Sequence, residues 1–197
     1  MQTVEQLTDL RVDNVGVVDF EGFVAMTDAL GGVEITVRED TEDMRASFPA
    51  GTYTMDGERA LDYVRQRYGL DDGDFDRVRR HQNWVRGVLQ GALSRDTLTD
   101  PRQLDAFLLA TTSAVALDSS FGVDQLRDLA LQLRSIRSDD VAFLTVPTAG
   151  TGRSEDGQSI ILLDEPAADG LWQAVRDGTL PQWVTTADAD MLGDTVD

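Results

Sequence analysis

Residues 14–37 read NVGVVDFEGFVAMTDALGGVEITV, and the order of patterns within them decides the fold class. Asn14 to Phe20 is a valine-rich apolar run of strand length. Glu21 to Leu30 places Phe23, Met26, Ala29 and Leu30 at helical spacing and stops at Gly31-Gly32. Val33 to Val37 then alternates as a half-buried strand does. A β–α–β opening of this kind predicts an α/β domain, an αβα layered arrangement with a central mixed sheet flanked by helices.

Working outward, Thr3 to Leu10 reads as a short amphipathic helix and Arg38 to Ala50 as a loop. Gly51 to Met55 reads as a short strand, and Asp56 or Gly57 caps a helix running through Val64. A long helix is predicted from Asp74 to about Arg95, with Val78, Val85, Val88, Leu89, Ala92 and Leu93 inward and mostly away from Arg77, Arg80 and His81. Asp100-Pro101 opens the next helix, with Leu104, Phe107, Leu108 and Val115 inward, and Gly122 to Ile136 is a further one. Val141–Val146 and Ser159–Leu163 are the candidate buried strands, paired antiparallel across the turn-rich GTGRSEDGQ. Ala167 to Arg176 is the last predicted helix. The reading gives one domain over residues 1–178 and an acidic tail over 179–197.

Composition bounds the function. The 197 residues carry 36 acidic against 17 basic side chains, a net charge of −19 that opposes general nucleic-acid binding. There is no cysteine, which excludes disulfides, thiolate metal sites and a thiol nucleophile. The N-terminus is neither a basic n-region nor an apolar h-region, and no run of 18 apolar residues occurs, so as written a soluble chain without an export signal is expected.

Against this acidic background one stretch, Tyr63 to Arg86 (YVRQRYGLDDGDFDRVRRHQNWVR), gathers six of the 17 arginines. Arg65 and Arg67 stand two apart, so an extended segment sends both from one face. Asp74 stands where a helix starts, and Arg77, Arg80, His81 and Trp84 follow on one helical face. Arginine grips phosphate oxygens in pairs, and an aspartate beside it can hold Mg²⁺ against a pyrophosphate or accept a proton from an attacking hydroxyl. The competing reading is a solvated helix face with Asp–Arg pairs. His81 is the single histidine and builds no zinc site alone; it is either a ligand contact or a surface residue. G-x-S-x-G, Walker A and dinucleotide fingerprints are absent, and Asp71, Asp72, Asp74 and Asp76 lack Ca²⁺-loop spacing. Phe107, Leu108 and Leu109 beside Val85 and Leu89 could enclose a lipid tail, but ordinary core is the favoured reading.

Three linked motifs, VVDFEGFVAMTDALGGVEITV, GTYTMDGERALDYVRQR and DFDRVRRHQ, with the closing VPTAG…DGQSIILLDEPAADGLWQAV, resemble the LytR-CpsA-Psr family in order and spacing over residues 1 to about 178. The resemblance implies a membrane-anchored enzyme type on the extracytoplasmic face. Such enzymes move a glycopolymer from a polyprenyl-pyrophosphate carrier to peptidoglycan with Mg²⁺. It implies Arg65 and Arg67 as pyrophosphate-binding, Arg77 and Arg80 as helix arginines facing the phosphates, and Asp74 with Arg77 as the catalytic pair. Asp74 would share the metal with residues outside this chain, and His81-Gln82 stands where the family has two glutamines. The family's anchor and front half are expected to precede Met1, making this chain a back portion that meets the membrane only through its lipid carrier or that missing anchor. Two alternatives remain. One is a non-catalytic polyprenyl-phosphate or anionic-glycan binding module. The other is the family's historical label, a transcriptional attenuator, against which stand the acidic charge and the absence of a basic recognition helix.

Overall fold

The computed structural model describes residues 1–42, 45–94, 97, 99–117, 125, 128, 132, 136, 140–187 and 189–193. Two compact units divide the chain, one of residues 14–142 with 192–197 and one of residues 1–13 with 143–191. Both mix helix and sheet, as the α/β reading requires.

In the larger unit, β1 (Gly16–Val18) pairs antiparallel with β6 (Val115–Leu117). Asp19 ends β1 and caps α2 (Phe20–Ala29), its carboxylate accepting from the Gly22 N–H at 2.8 Å. Gly31 and Gly32, at φ 77° and 100°, turn the chain out of α2. It enters β2 (Val33–Val37), which pairs antiparallel with β5 (Gly51–Met55). The alternation in β2 is obeyed: Val33, Ile35 and Val37 are buried. Asp56 caps α3 (Gly57–Arg65), accepting from the Arg59 N–H at 2.9 Å. After a glycine- and aspartate-rich loop comes α4 (Asp74–Ala92), and then α5 (Pro101–Ala114).

The predicted loop over Arg38–Ala50 instead contains a short antiparallel pair, β3 (Thr41–Glu42) and β4 (Ser47–Phe48), because Phe48 is drawn wholly into the core. The described strands form four two-stranded antiparallel ribbons; the mixed sheet of the layered reading is present only as these pairs among the described residues. Val115 belongs to β6 rather than to the helix before it. The helix expected over Gly122–Ile136 lies almost wholly outside the described residues.

The larger correction concerns α4. Its buried positions are Asp76, Arg80, Asn83, Gly87 and Val88, whereas Val78 and Val85 face solvent. Arg80 therefore lies on the inward face, not away from it. The helix sits so close to β2 that a Cβ at Gly87 would lie 3.1 Å from the Glu34 carbonyl oxygen. Glycine at the contact makes this approach possible, and polar side chains above it carry the seam with α3. Trp84 closes the apolar part, stacked on Phe23 at 4.0 Å and donating its indole N–H to Thr27 Oγ1 at 3.0 Å. Leu108 is buried and Phe107 packs against the same core, while Leu109 is exposed.

In the smaller unit, α1 (Gln2–Thr8) receives a hydrogen bond from the Arg176 guanidinium to the Thr8 carbonyl at 2.7 Å. The expected strand over Val141–Val146 is reduced to a single bridge, Leu144 with Met191. The antiparallel pair is real but joins β7 (Thr148–Arg153) to β8 (Ser159–Leu163). The turn spans only Ser154 to Gln158, with the Ser154 N–H bonded to the Gln158 carbonyl, so β8 must pair with the residues directly before it. Ile160, Ile161 and Leu162 are exposed rather than buried. Asp164 caps α6 (Glu165–Arg176), and the supposed tail begins with a helix, α7 (Leu180–Thr186), whose Trp183 lies beside Gly170 of α6. No helix among the described residues is long and apolar enough to cross a membrane.

The tightest packing test is Gly57, the first residue of α3. A Cβ there would lie 2.5 Å from the Val24 carbonyl oxygen, and the Gly57 N–H bonds the Asp28 carboxylate at 2.8 Å. Gly57→Ala is expected to destabilise the chain by roughly 1–3 kcal/mol through overpacking, read from the urea midpoint at unchanged m-value.

Candidate anion-binding site

The arginine-rich stretch falls on the C-terminal end of α3, the following loop and the first turns of α4. Arg65 is the last residue of α3, not part of an extended segment; Gln66, at ψ 133°, is where the chain leaves the helix. The two arginines thus straddle a helix end. The Arg65 guanidinium lies over the Phe20 ring at 4.4 Å, a cation–π contact, and Arg67 is exposed.

On α4, Asp74 is the first helical residue and Gly73 precedes it as cap. Its carboxylate, exposed, accepts from Arg77 at 3.1 Å, one turn on. His81 follows Arg77 by four residues, so Asp74, Arg77 and His81 form one outward edge. His81 reaches solvent, yet the protein around it holds its pKa below the ordinary 6.5 by desolvating the cation, and the Arg77 guanidinium pushes in the same direction.

The other arginines of the stretch hold protein. Arg79 bridges Asp76 at 2.9 Å and Asp72 at 3.3 Å. Asp76, itself buried, accepts from the Asp72 N–H at 2.7 Å, which fixes the loop before α4. Arg86 donates to Asn83 Oδ1 at 2.7 Å. Arg80 is fully buried. Its Nη1 donates to Gln66 Oε1 at 2.7 Å and to the Tyr63 carbonyl at 3.3 Å, and its Nη2 donates to Thr41 Oγ1 at 2.8 Å. The guanidinium also lies over the Tyr63 ring at 4.4 Å. The single face predicted for Arg77, Arg80, His81 and Trp84 is therefore split: Arg77 and His81 look outward, Arg80 and Trp84 inward.

Sequence reading missed Gln66, Thr41, Asp76 and Phe20 as parts of this surround. Asp76 had a signal, its three-residue spacing from Arg79, and Gln66 had its place between two arginines. Thr41 and Phe20 had none, because only the tertiary fold brings them there.

The donor set for a metal is narrow. No group of three or more His, Cys, Asp or Glu side chains among the described residues could cage an ion. One exposed carboxylate, Asp74, suits Mg²⁺ only in the way Mg²⁺ is commonly held, by one or two carboxylates together with phosphate oxygens and water.

The larger unit thus carries Arg65 at the last residue of α3, and Asp74 with Arg77 on the first turn of α4. The chain belongs to the LytR_cpsA_psr family, whose sequence profile matches residues 1–177. It is 36% identical over 176 residues to the cell wall biosynthesis protein LcpA of Corynebacterium glutamicum, an alignment covering 88% of this chain and 33% of that protein. It is 27% identical to the polyisoprenyl-teichoic acid–peptidoglycan teichoic acid transferase TagU of Enterococcus faecalis, covering 89% of this chain and 55% of the relative. Its fold matches the crystal structure of Bacillus subtilis TagV at a TM-score of 0.73, with 21% identity, covering 90% of this chain and 68% of that one. The chain thus spans between a third and just over half the length of these two sequence relatives.

The His81 shift has a sign that can be measured. The unfolded chain takes up the proton near pH 6.5 and the folded chain only below that. Stability contributed by neutral His81 is therefore intact above pH 6.5 and is lost as pH falls from there through the lower folded value. His81→Gln removes this loss. The drop in Tm between about pH 7.5 and about pH 5.5 should be smaller in the variant than in the parent chain.

Proposed function

We propose that this chain binds the pyrophosphate of a polyprenyl-pyrophosphate-linked glycan and, within a longer protein, serves transfer of that glycan phosphate to a peptidoglycan hydroxyl. The observation that carries the reading is the sorting of the arginines. Arg79 and Arg80 hold protein partners, while Arg65, Arg67 and the Asp74–Arg77 pair lie at the loop-proximal ends of α3 and α4. Family membership and relatives named for cell-wall polymer work support the same direction. The setting proposed for the whole protein is the outer face of the cell membrane.

In this reading Arg65, Arg67 and Arg77 supply paired donors to the phosphate oxygens. The acceptor hydroxyl attacks the glycan-bearing phosphorus and gives up its proton to water, the P–O–P bond breaks, and the arginines neutralise the charge that grows on the leaving polyprenyl phosphate. Phosphoryl transfer needs this positioning and neutralisation more than a protein nucleophile, consistent with a chain lacking cysteine and a Ser-based triad motif. Asp74 would hold Mg²⁺ beside the phosphates, and the ion would supply further charge neutralisation there. His81, held neutral, offers a hydrogen-bonding ring at the position next to Arg77 on the same edge.

Two titrations test this. Arg77→Ala and Arg65→Ala should each weaken binding of a short-chain polyprenyl pyrophosphate by roughly 10- to 100-fold, with the melting curve retained; calorimetry on this chain reads it, and wild-type affinity in both variants would sink the proposal. Asp74→Asn should leave metal-free affinity equal or higher, since it releases Arg77, but should abolish the gain in affinity that Mg²⁺ gives the parent chain. A variant that keeps the full Mg²⁺ gain would remove Asp74 from the metal role.

A further inference from the structure

Gln66 lies between the two arginines proposed to grip pyrophosphate, and its side chain is almost wholly buried. Its side-chain amide is held by three hydrogen bonds. Oε1 accepts from Arg80 Nη1 at 2.7 Å and from Thr41 Oγ1 at 3.2 Å; Nε2 donates to the Tyr68 carbonyl at 2.9 Å. That last bond closes a small ring over Arg67, tying the backbone on its far side to the side chain on its near side. Gln66 is also the C-cap of α3, so its φ and ψ set the direction in which the chain, and with it Arg67, departs from Arg65.

We infer that Arg80, acting through Gln66, is a positioning residue for the Arg65–Arg67 pair and does not itself touch the anion. The inference rests on the pyrophosphate reading above and changes the part Arg80 plays in it. A guanidinium with no solvent exposure must keep its acceptors or stand desolvated and unbonded, which is strongly unfavourable. Rotating Gln66 away would deprive Arg80 of its 2.7 Å acceptor, so the buried charge holds the amide in one orientation. Thr41 Oγ1 joins both, accepting from Arg80 Nη2 and donating to Gln66. The planar fork of arginine reaches two acceptors and the Tyr63 carbonyl at once, which an ammonium cannot copy in the same geometry.

The test uses inorganic pyrophosphate as probe and the full chain. Gln66→Leu should weaken binding on the order of tenfold, within the hundredfold that an ångström of misplacement can cost. Arg80→Lys, which keeps the charge and loses the fork, should weaken it similarly, and the double variant should lose no more than either single one. In ¹⁵N spectra of Gln66→Leu the Arg67 and Tyr68 backbone amide signals should shift while core amides stay in place. Additive losses, or a Gln66→Leu protein binding as the parent does, would overturn the inference. If either variant fails to fold, Thr41→Val, which keeps shape and removes one bond from each partner, takes its place: a clear loss of affinity supports the inference and parental affinity overturns it. Arg65→Ala and Arg67→Ala separate the two levels. Loss of binding in these with parental binding in Gln66→Leu and Thr41→Val overturns positioning alone; parental binding in the arginine variants overturns the anion site itself.

Discussion

The burial of one guanidinium constrains the larger unit more than any apolar contact does. Arg80 has no solvent exposure, and a cation so placed is tolerable only when hydrogen bonded and set against aromatic faces. It donates to groups from three places in the chain: Thr41 in β3, Tyr63 near the end of α3, and Gln66 just beyond it. None of the three can shift alone. The charge therefore works as a register pin between the helix pair and the β3–β4 ribbon. Phe48 of β4 packs edge-on against Tyr63 at 5.5 Å, beside the guanidinium.

Two kinds of packing share α4. Towards its N-terminal half the inward side chains are Asp76, Arg80 and Asn83, and the contacts are hydrogen bonds with defined partners, including Asn83 to the Tyr63 hydroxyl at 3.1 Å. Towards its C-terminal half they are Trp84, Gly87 and Val88, set against Phe23, Leu30 and Val33. Apolar packing is forgiving of small rotations, because neighbouring methyl groups substitute for one another; a hydrogen-bonded seam is not. The rigid half of the helix is the half that carries Asp74, Arg77 and His81, which is where a site requiring fixed side-chain geometry belongs.

What the sequence made legible was local. The cap at Asp56, the glycine stop at 31–32 and the alternation of β2 are each written within a few residues, and each is present. Partner choice was not legible. Nothing within Val33–Val37 says that its neighbour is Gly51–Met55 in antiparallel sense, and Val141–Val146 looked more like a strand than Thr148–Arg153, which is one. The α4 error has a physical origin too. Apolar counting assigns the inward face to valines, but valine at positions 78 and 85 lies outside because the charged and amide side chains have enough partners across the seam to be buried instead. Periodicity weighs a residue by its transfer preference and cannot see whether its hydrogen bonds will be met.

The arginine cluster illustrates the same limit from the side of function. Six arginines in one stretch announced an anion site by number, yet Arg79, Arg80 and Arg86 hold carboxylate, amide and carbonyl groups of the chain itself. The charge left for a ligand is smaller than the count suggested, and the chain around it is strongly acidic, at −19 overall. At physiological ionic strength fields decay over about 8 Å, so that distant acidity repels a phosphate only weakly once it has arrived, while it slows the arrival of any polyanion. Such a site depends on short-range, geometrically matched donors rather than on attraction from afar. That dependence places the demand on side-chain direction, and the hydrogen bonds from Arg80 to Gln66 and from Gln66 to the Tyr68 carbonyl hold the chain on both sides of Arg67.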